Sequence, residues 1–268
     1  MDIIEIKNLS FRYKEKFIYD DFSLSIKRGS WTTIAGPNGA GKTTLVKILA
    51  GLYKNYSSIT IFNKPYNKKN LLEIRKDIGF VFDVPDNYFV CETVEDELAF
   101  SLENMAMQPN TIRKKIKEVT ELLNLKEFLK KNPSSLSGGE KQKIALACAL
   151  VLEPRILILD ESFMMVDVNE RKRLLDIIKE YNKKKIVTIV SFTHNLEEAI
   201  YSDRLIVLNK GKIIVDGVYP SVFNEEFVMR KIGLEVPFMV ELSQKLRVYN
   251  ILDEINLDMD KVVSKLWK

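Results

Sequence analysis

The stretch "GPNGAGKTT", Gly36 to Thr44, constrains this chain more than any other. It matches the spacing G-x-x-x-x-G-K-[ST], follows the apolar run "WTTIAG" and opens a segment, Thr43 to Ala50, that reads as a helix closed by Gly51. Its glycines, with Pro37, Asn38 and Ala40 between them, let successive backbone N–H groups point inward around phosphate oxygens, and the helix N-terminus adds its positive dipole end. Lys42 is placed to reach the β and γ phosphates, and Thr43, followed by Thr44, offers a hydroxyl to Mg²⁺. A plain glycine turn is the competing reading, and a strand-loop-helix unit argues against it.

The flanking pattern fits an α/β core. Ile4 and Ile6, then Leu9, Phe11 and Tyr13, then Phe22, Leu24 and Ile26 alternate with period two, and Arg28-Gly29-Ser30 turns the chain. Further strands are expected at 59–62, 78–82, 156–160 and 186–191, separated by enough chain for crossover helices, which suits a mostly parallel sheet. Between Thr93 and Leu150 the period becomes helical: Ile112, Ile116, Val119, Leu122, Leu123 and Leu129 recur at threes and fours, as in an inserted helical subdomain. "LIVLNKGKIIVDG" reads as a hairpin, and from Pro220 onward the chain reads as amphipathic helix.

Two more motifs carry chemistry. In "RILILDE" a buried strand delivers Asp160 and Glu161 at its carboxyl end, where parallel sheets bind ligands. Asp160 would hold the Mg²⁺ shell, and Glu161 would polarise the water attacking a γ-phosphate; solvent-facing loop acids are the alternative. "LSGGE", 136–140, precedes a helix expected from about Lys141, so that Ser137, Gly138 and Gly139 can present N–H groups and a hydroxyl to an anion.

In the order phosphate loop, helical segment, LSGGE, acidic strand, these motifs resemble the ATP-binding cassette (ABC) ATPases over about residues 1–217. The resemblance implies a P-loop NTPase (RecA-like) α/β fold: a mostly parallel sheet core, an antiparallel β subdomain, an inserted helical subdomain at about 90–150 and a small helical extension at 218–268. It implies an ATP-hydrolysing enzyme using ATP and Mg²⁺, working as a head-to-tail pair. ATP would lie between the phosphate loop of one subunit and Ser137, Gly138, Gly139 and Glu140 of the other, with Asp167 as the D-loop aspartate contacting the opposite site. Tyr13 would stack on adenine, although ordinary strand packing beside Phe11 and Phe17 is the other reading. His194, the only histidine, occupies the switch position after the last core strand, where a packed or half-exposed residue would otherwise be the default. Lys42, Glu161 and His194 are thus the catalytic candidates.

There are departures. Where the family has a glutamine reaching Mg²⁺ and the attacking water, this chain has Asp83, which is shorter, negative and without an N–H donor. Asp83 remains an ATP-site and metal candidate beside Thr43 and Asp160, with slower hydrolysis or altered coupling expected. Met164 and Met165 replace the usual small residues before the D-loop and read as simple packing at the dimer seam.

"PDNYFVCETVEDELAFSLEN" and "IGLEVPFMVELSQKL" resemble the ATPases of energy-coupling factor (ECF) transporters, which import vitamins or transition-metal ions. Tyr88 stands where that subfamily often has a second glutamine; Trp31 is a weaker match. The resemblance implies a second ABC ATPase, identical or different, a transmembrane scaffold and a substrate-binding membrane protein as partners. Segment 83–100 would grip the scaffold, and 218–268 would be a dimerisation domain or an amphipathic tail on its own core. A non-transport ABC ATPase and a low-turnover regulatory subunit are the alternatives.

Composition agrees. Forty-six per cent apolar residues suffice for a core, and 41 Lys and Arg against 37 Asp and Glu, a charge of +4, do not suggest a nucleic-acid partner. Cys91 and Cys148 form no metal or disulfide framework and read as buried hydrophobes in a reducing compartment. No uncharged run approaches the roughly 18 residues of a membrane helix. The expected location is peripheral, on the cytoplasmic face of the cell membrane.

Overall fold

A computed structural model describes residues 1–53, 59–85, 89–218, 221–257 and 259–266; Tyr88 lies outside them. Its centre is a six-stranded sheet made of β3 (Trp31–Ala35), β6 (Ile78–Val81), β7 (Ile156–Asp160), β8 (Thr188–Thr193), β9 (Arg204–Asn209) and β10 (Lys212–Val218), in the order β10-β9-β3-β8-β7-β6. All pairings are parallel except β10 with β9, the expected hairpin. Strand β7 is apolar throughout because both its faces are covered: Ile156 and Ile158 join one cluster, Leu157 and Leu159 the opposite one. Truncating any of these to alanine costs about 2–5 kcal/mol.

One face of the sheet is covered by α1 (Lys42–Leu49) and by a second, antiparallel sheet of β1 (Asp2–Tyr13), β2 (Lys16–Lys27), β4 (Ile59–Ile61) and β5 (Lys64–Pro65). This corrects the expectation for 59–62, which does not belong to the parallel sheet. Ile59 and Ile61 pair antiparallel with Ile6 and Ile4, and Phe62 and Asn63, at φ +55° and +60°, turn the chain into β5. Helix α2 (Leu71–Lys76) then leads into β6.

The opposite face carries α3 (Val94–Glu103), α4 (Pro109–Leu123), α5 (Gly138–Leu150) and α6 (Val168–Lys185). The apolar stripe of α4 buries Ile112, Ile116, Val119 and Leu123, whereas Leu122 lies at its exposed edge and Leu129 follows a separate turn at Lys126–Phe128. Strand β8 begins two residues later than expected because α6 runs to Lys185, and Ile186 caps it at φ +54°. Cys91 and Cys148 are free and half-buried rather than buried.

After β10 come α7 (Glu226–Lys231), α8 (Phe238–Val248) and α9 (Met259–Leu266). Val222, Phe223, Met229, Leu234, Val236 and Val240 pack on Leu205, Val207 and Val215, so this segment shares a core with the sheet edge. Phe227, Phe238, Val248 and Tyr249 stay exposed. No helix among the described residues is long and apolar enough to cross a membrane.

Candidate active site

The loop between β3 and α1 is built from below by residues far away in the chain. Gly36 N donates to Thr193 O at 3.3 Å, and a Cβ at Gly36 would strike the Leu208 carbonyl. Gly211 N, in the turn between β9 and β10, donates to Ala40 O at 2.9 Å. Gly41 caps α1 at φ +115°, in the left-handed region that favours glycine, and its carbonyl accepts from the buried Tyr19 hydroxyl at 2.9 Å. A hairpin and a strand tyrosine therefore brace the loop so that the first-turn N–H groups of α1 are left for an anion.

Lys42 is almost fully buried. Its Nζ donates to Gly36 O at 2.7 Å and Pro37 O at 3.4 Å, and lies 3.4 Å from Glu161 Oε1. The other Glu161 oxygen, Oε2, is 2.8 Å from His194 Nδ1 and accepts from His194 N at 3.4 Å. Glu161 holds φ +48°, uncommon for a residue with a side chain, and its N–H bonds Phe192 O at 2.9 Å, which locks it to the end of β8. Lys42, Glu161 and His194 thus converge, the carboxylate bridging the other two.

Asp160, at the end of β7, is 1% exposed, and neither of its carboxylate oxygens has a hydrogen-bond partner among the described residues. Burial, then the charges of Asp83 and Glu161, push its carboxyl up to about 7 against the pull of Lys42 and Lys47. An orphaned buried carboxylate is costly unless a cation compensates it, and this one feels the charge of Lys42 from the phosphate loop. The residues present fit Mg²⁺, which takes one or two carboxylates and fills its shell with waters and phosphate oxygens. No group of three or more His, Cys, Asp or Glu with metal-holding geometry occurs among the described residues, so protein carboxylates alone would not hold it. Thr43 and Asp83 are both exposed; Asp83 O accepts from Gln142 Nε2 at 3.0 Å.

Tyr13 reaches the loop from β1. Its hydroxyl donates to the Tyr53 hydroxyl at 2.9 Å and lies 3.4 Å from Thr44 Oγ1, with its ring edge-on to Phe11 and Tyr53. At 38% exposed it offers part of an aromatic surface beside the loop while packing edge-on to Phe11 of the same strand, as the strand-packing reading expects.

The signature segment forms a separate group. Helix α5 starts at Gly138, three residues before the expected Lys141, because Ser137 and Glu140 close a capping box: Glu140 Oε2 accepts from Ser137 N at 2.7 Å and Ser137 Oγ accepts from Glu140 N at 3.4 Å. The Ser-x-x-Glu spacing carried that signal. A Cβ on Gly138 would meet Met165 Sδ at 2.8 Å, and one on Gly139 would meet Met165 O at 3.0 Å, so both glycines make room for the methionine segment. Asp167 caps α6, accepting from Asn169 N and Glu170 N. No hydrogen bond or ion pair among the described residues joins Ser137 to Glu140, or Asp167, to the phosphate loop.

Comparison with known proteins agrees with this geometry. Residues 19–164 match the model of the ABC transporter family. The chain is 38% identical to the energy-coupling factor transporter ATP-binding protein EcfA of Pediococcus pentosaceus, covering 99% of this chain and 96% of that one. It is 40% identical to EcfA1 of Streptococcus pneumoniae, covering 99% and 98%. Among solved structures, cbiO1 of Clostridium perfringens, part of the ABC transporter complex cbiONQ, superposes with a TM-score of 0.77 at 31% identity, over 91% of this chain and 99% of that one. The ATP-binding cassette MJ0796 in a dimeric post-hydrolysis state with ADP and Pi gives 0.73 at 28% identity, over 80% and 98%. The chain belongs to the ABC transporter family and, within it, to the energy-coupling factor ATP-binding proteins.

Proposed function

We propose that this chain powers an ECF-type importer by hydrolysing MgATP on its own phosphate loop, with Glu161 as the water-polarising base and His194 as the group that senses the γ-phosphate. The observation that carries this is the Glu161 carboxylate, held between Lys42 and His194. ATP phosphates would lie on the N–H groups of Gly39 to Thr44, with Lys42 exchanging the carbonyls of Gly36 and Pro37 for phosphate oxygens. Asp160, Thr43 and Asp83 would hold Mg²⁺, which supplies charge neutralisation on the phosphates. Glu161 is then free to accept a proton from water, and His194, one hydrogen bond away, orients it and donates to the γ-phosphate. Tyr13 supplies the adenine platform. Ser137 to Glu140 and Asp167, separate from the loop within one chain, complete the site of a second ATPase subunit.

The partners follow from two surfaces. A groove of about 240 Å³ beside 83–100 is lined by Phe80, Phe89, Val90, Phe100 and Cys148, and suits an apolar helix of a membrane scaffold on the cytoplasmic face. Glu97 shapes its rim by accepting from Val90 N and Cys91 N, both at 2.9 Å. The exposed Phe227, Phe238, Val248 and Tyr249 of 218–268 suit the same segment of the second ATPase. Import of a vitamin or transition-metal ion would be chosen by a separate substrate-binding membrane protein.

The test is Glu161→Gln in membranes carrying this chain with its partner subunits. Turnover falls about 10²- to 10⁴-fold while ATP binding persists and a closed ATP-bound pair accumulates. Turnover at the parent rate overturns the assignment. Asp83 favours a second reading, a slow regulatory subunit, which single-turnover hydrolysis at this chain's own loop decides.

A further inference from the structure

Helix α8 begins at Phe238 with Pro237 as its N-cap, and no side chain of its own caps it. A helix start leaves its first N–H groups without intrahelical partners, and the residue before the helix usually supplies the acceptor. Here the acceptor comes from 41 residues upstream: Phe238 N donates to Glu197 Oε1 at 3.1 Å. A carboxylate at that end also meets the positive pole of the helix dipole.

Glu197 is three residues after His194, in the same short loop. The loop is wound tightly on itself: Asn195 N donates to Thr193 Oγ1 at 3.0 Å, Glu197 N to Asn195 Oδ1 at 2.9 Å, and Glu198 N to Asn195 O at 3.2 Å. On either side of Glu197, Leu196 and Ala199 are buried in one cluster with Val222, Phe223, Met229 and Leu234 of the C-terminal segment. A groove of about 490 Å³ runs between the two parts, with Pro37, Asn38, His194 and Asn195 on one wall and Gly233, Leu234 and Glu235 on the other. The histidine side chain itself is 45% exposed and is held by the Glu161 carboxylate. The ring therefore takes its position from that carboxylate and from the backbone that carries it.

We infer that Glu197 is a positioning residue: by capping α8 it clamps the C-terminal segment to the loop bearing His194, so that this segment, as well as the sheet, sets where the histidine stands. The clamp rests on the reading of His194 as the γ-phosphate sensor. It gives the segment a reach into the nucleotide site that packing on its own core does not. Phe238 links the two directly, since its backbone binds Glu197 while its side chain is exposed on the apolar surface offered to a second subunit. Contact between subunits at that surface would be felt at His194.

The experiment uses the full chain with Glu197→Ala and Glu197→Gln, the latter keeping an acceptor oxygen without the charge. Amide hydrogen exchange is followed without nucleotide at 193–199 and 238–242. Turnover and KM for ATP are then measured in membranes with the partner subunits. With Glu197→Ala, exchange rises in both segments, kcat falls by about ten- to a hundredfold with KM for ATP unchanged, and Glu197→Gln recovers most of both. Exchange that rises at 238–242 alone, a kcat equal to the parent's, or a Gln variant no better than Ala overturns the clamp. His194→Ala separates the two readings: if it leaves turnover intact the sensor reading fails, whatever Glu197→Ala does to exchange, and if it abolishes turnover while Glu197→Ala does nothing, only the clamp fails.

Discussion

Glu161 and His194 are joined twice, by Oε2 to the ring Nδ1 at 2.8 Å and to the backbone N–H at 3.4 Å, so the carboxylate holds both the side chain and the main chain of the histidine. Because the other oxygen of Glu161 faces Lys42, a change at any one of the three alters the geometry of the others.

His194→Ala removes the ring but leaves the backbone N–H on Glu161. Nucleotide affinity is expected to stay within about threefold of the parent, while kcat in the coupled membrane system falls by about 10²-fold or more, the scale of losing one positioned polar group. Combining it with Glu161→Gln should cost far less than the product of the single losses, because the two act as a unit. Multiplicative losses in that double-variant cycle would mean the two residues act independently.

The pH dependence of stability carries the signature of Asp160. In the folded chain its carboxyl is raised to about 7, against 3.8 when unperturbed, so between those values the folded state keeps a proton that the unfolded state has lost. Stability from this group is therefore present at low pH and is lost as pH rises through about 7. Glu198, buried and also raised to about 7, acts in the same sense, which makes the Asp160→Asn variant the necessary control. Without Mg²⁺, the Tm of the parent should fall relative to Asp160→Asn between about pH 4 and pH 7 and run parallel to it above, by roughly 2–4 °C per kcal/mol for a chain of this size. MgATP should reverse the fall in the parent alone. Parallel Tm curves for the two proteins would show that Asp160 is ionised and compensated throughout.

Asp83→Gln restores an amide with both donor and acceptor, and it removes one of the negative charges that raise Asp160. The carboxyl of Asp160 should titrate lower, and ATPase activity should be equal to or above the parent's. Loss of coupled transport with ATP binding intact would show instead that the aspartate serves this transporter in its own way.

Gly41→Ala tests the bracing of the phosphate loop. At φ +115° any side chain is strained, and the new Cβ would meet the Tyr19 hydroxyl at 2.7 Å, the group that bonds Gly41 O. About 1–3 kcal/mol of strain is expected, with ATP affinity falling about tenfold or more. Tyr19→Phe, which removes the hydroxyl, should lower affinity less. Unchanged binding in Gly41→Ala would mean that the loop relaxes without Tyr19.

Much of the architecture is legible in the sequence. Strand β7 matches the expected 156–160 because four consecutive apolar side chains and two acids admit few other readings, and α1 runs one residue earlier at each end than the expected Thr43 to Ala50, ahead of Gly51. Other bounds moved for physical reasons. The apolar Ile186 reads as the start of a strand, but α6 runs on to Lys185 and uses it as a left-handed cap. The run at 59–62 carries the same β-branched composition in an antiparallel sheet as in a parallel one, so its partner was invisible. The start of α5 at Gly138, three residues before the expected Lys141, is encoded in the Ser137–Glu140 capping-box spacing.

The phosphate loop, the acidic strand, the signature segment and the lone histidine are recognisable from the order of residues alone, because each motif is a spacing of residue types within a few positions along the chain. The bridging of Lys42 and His194 by Glu161, the seat of Tyr13 against Thr44, the support of Ala40 by Gly211 and the capping of Phe238 by Glu197 were decided only by the folded molecule. Those pairs are separated by 31 residues or more, and which side chains meet at that range depends on sheet order and packing that no local pattern encodes.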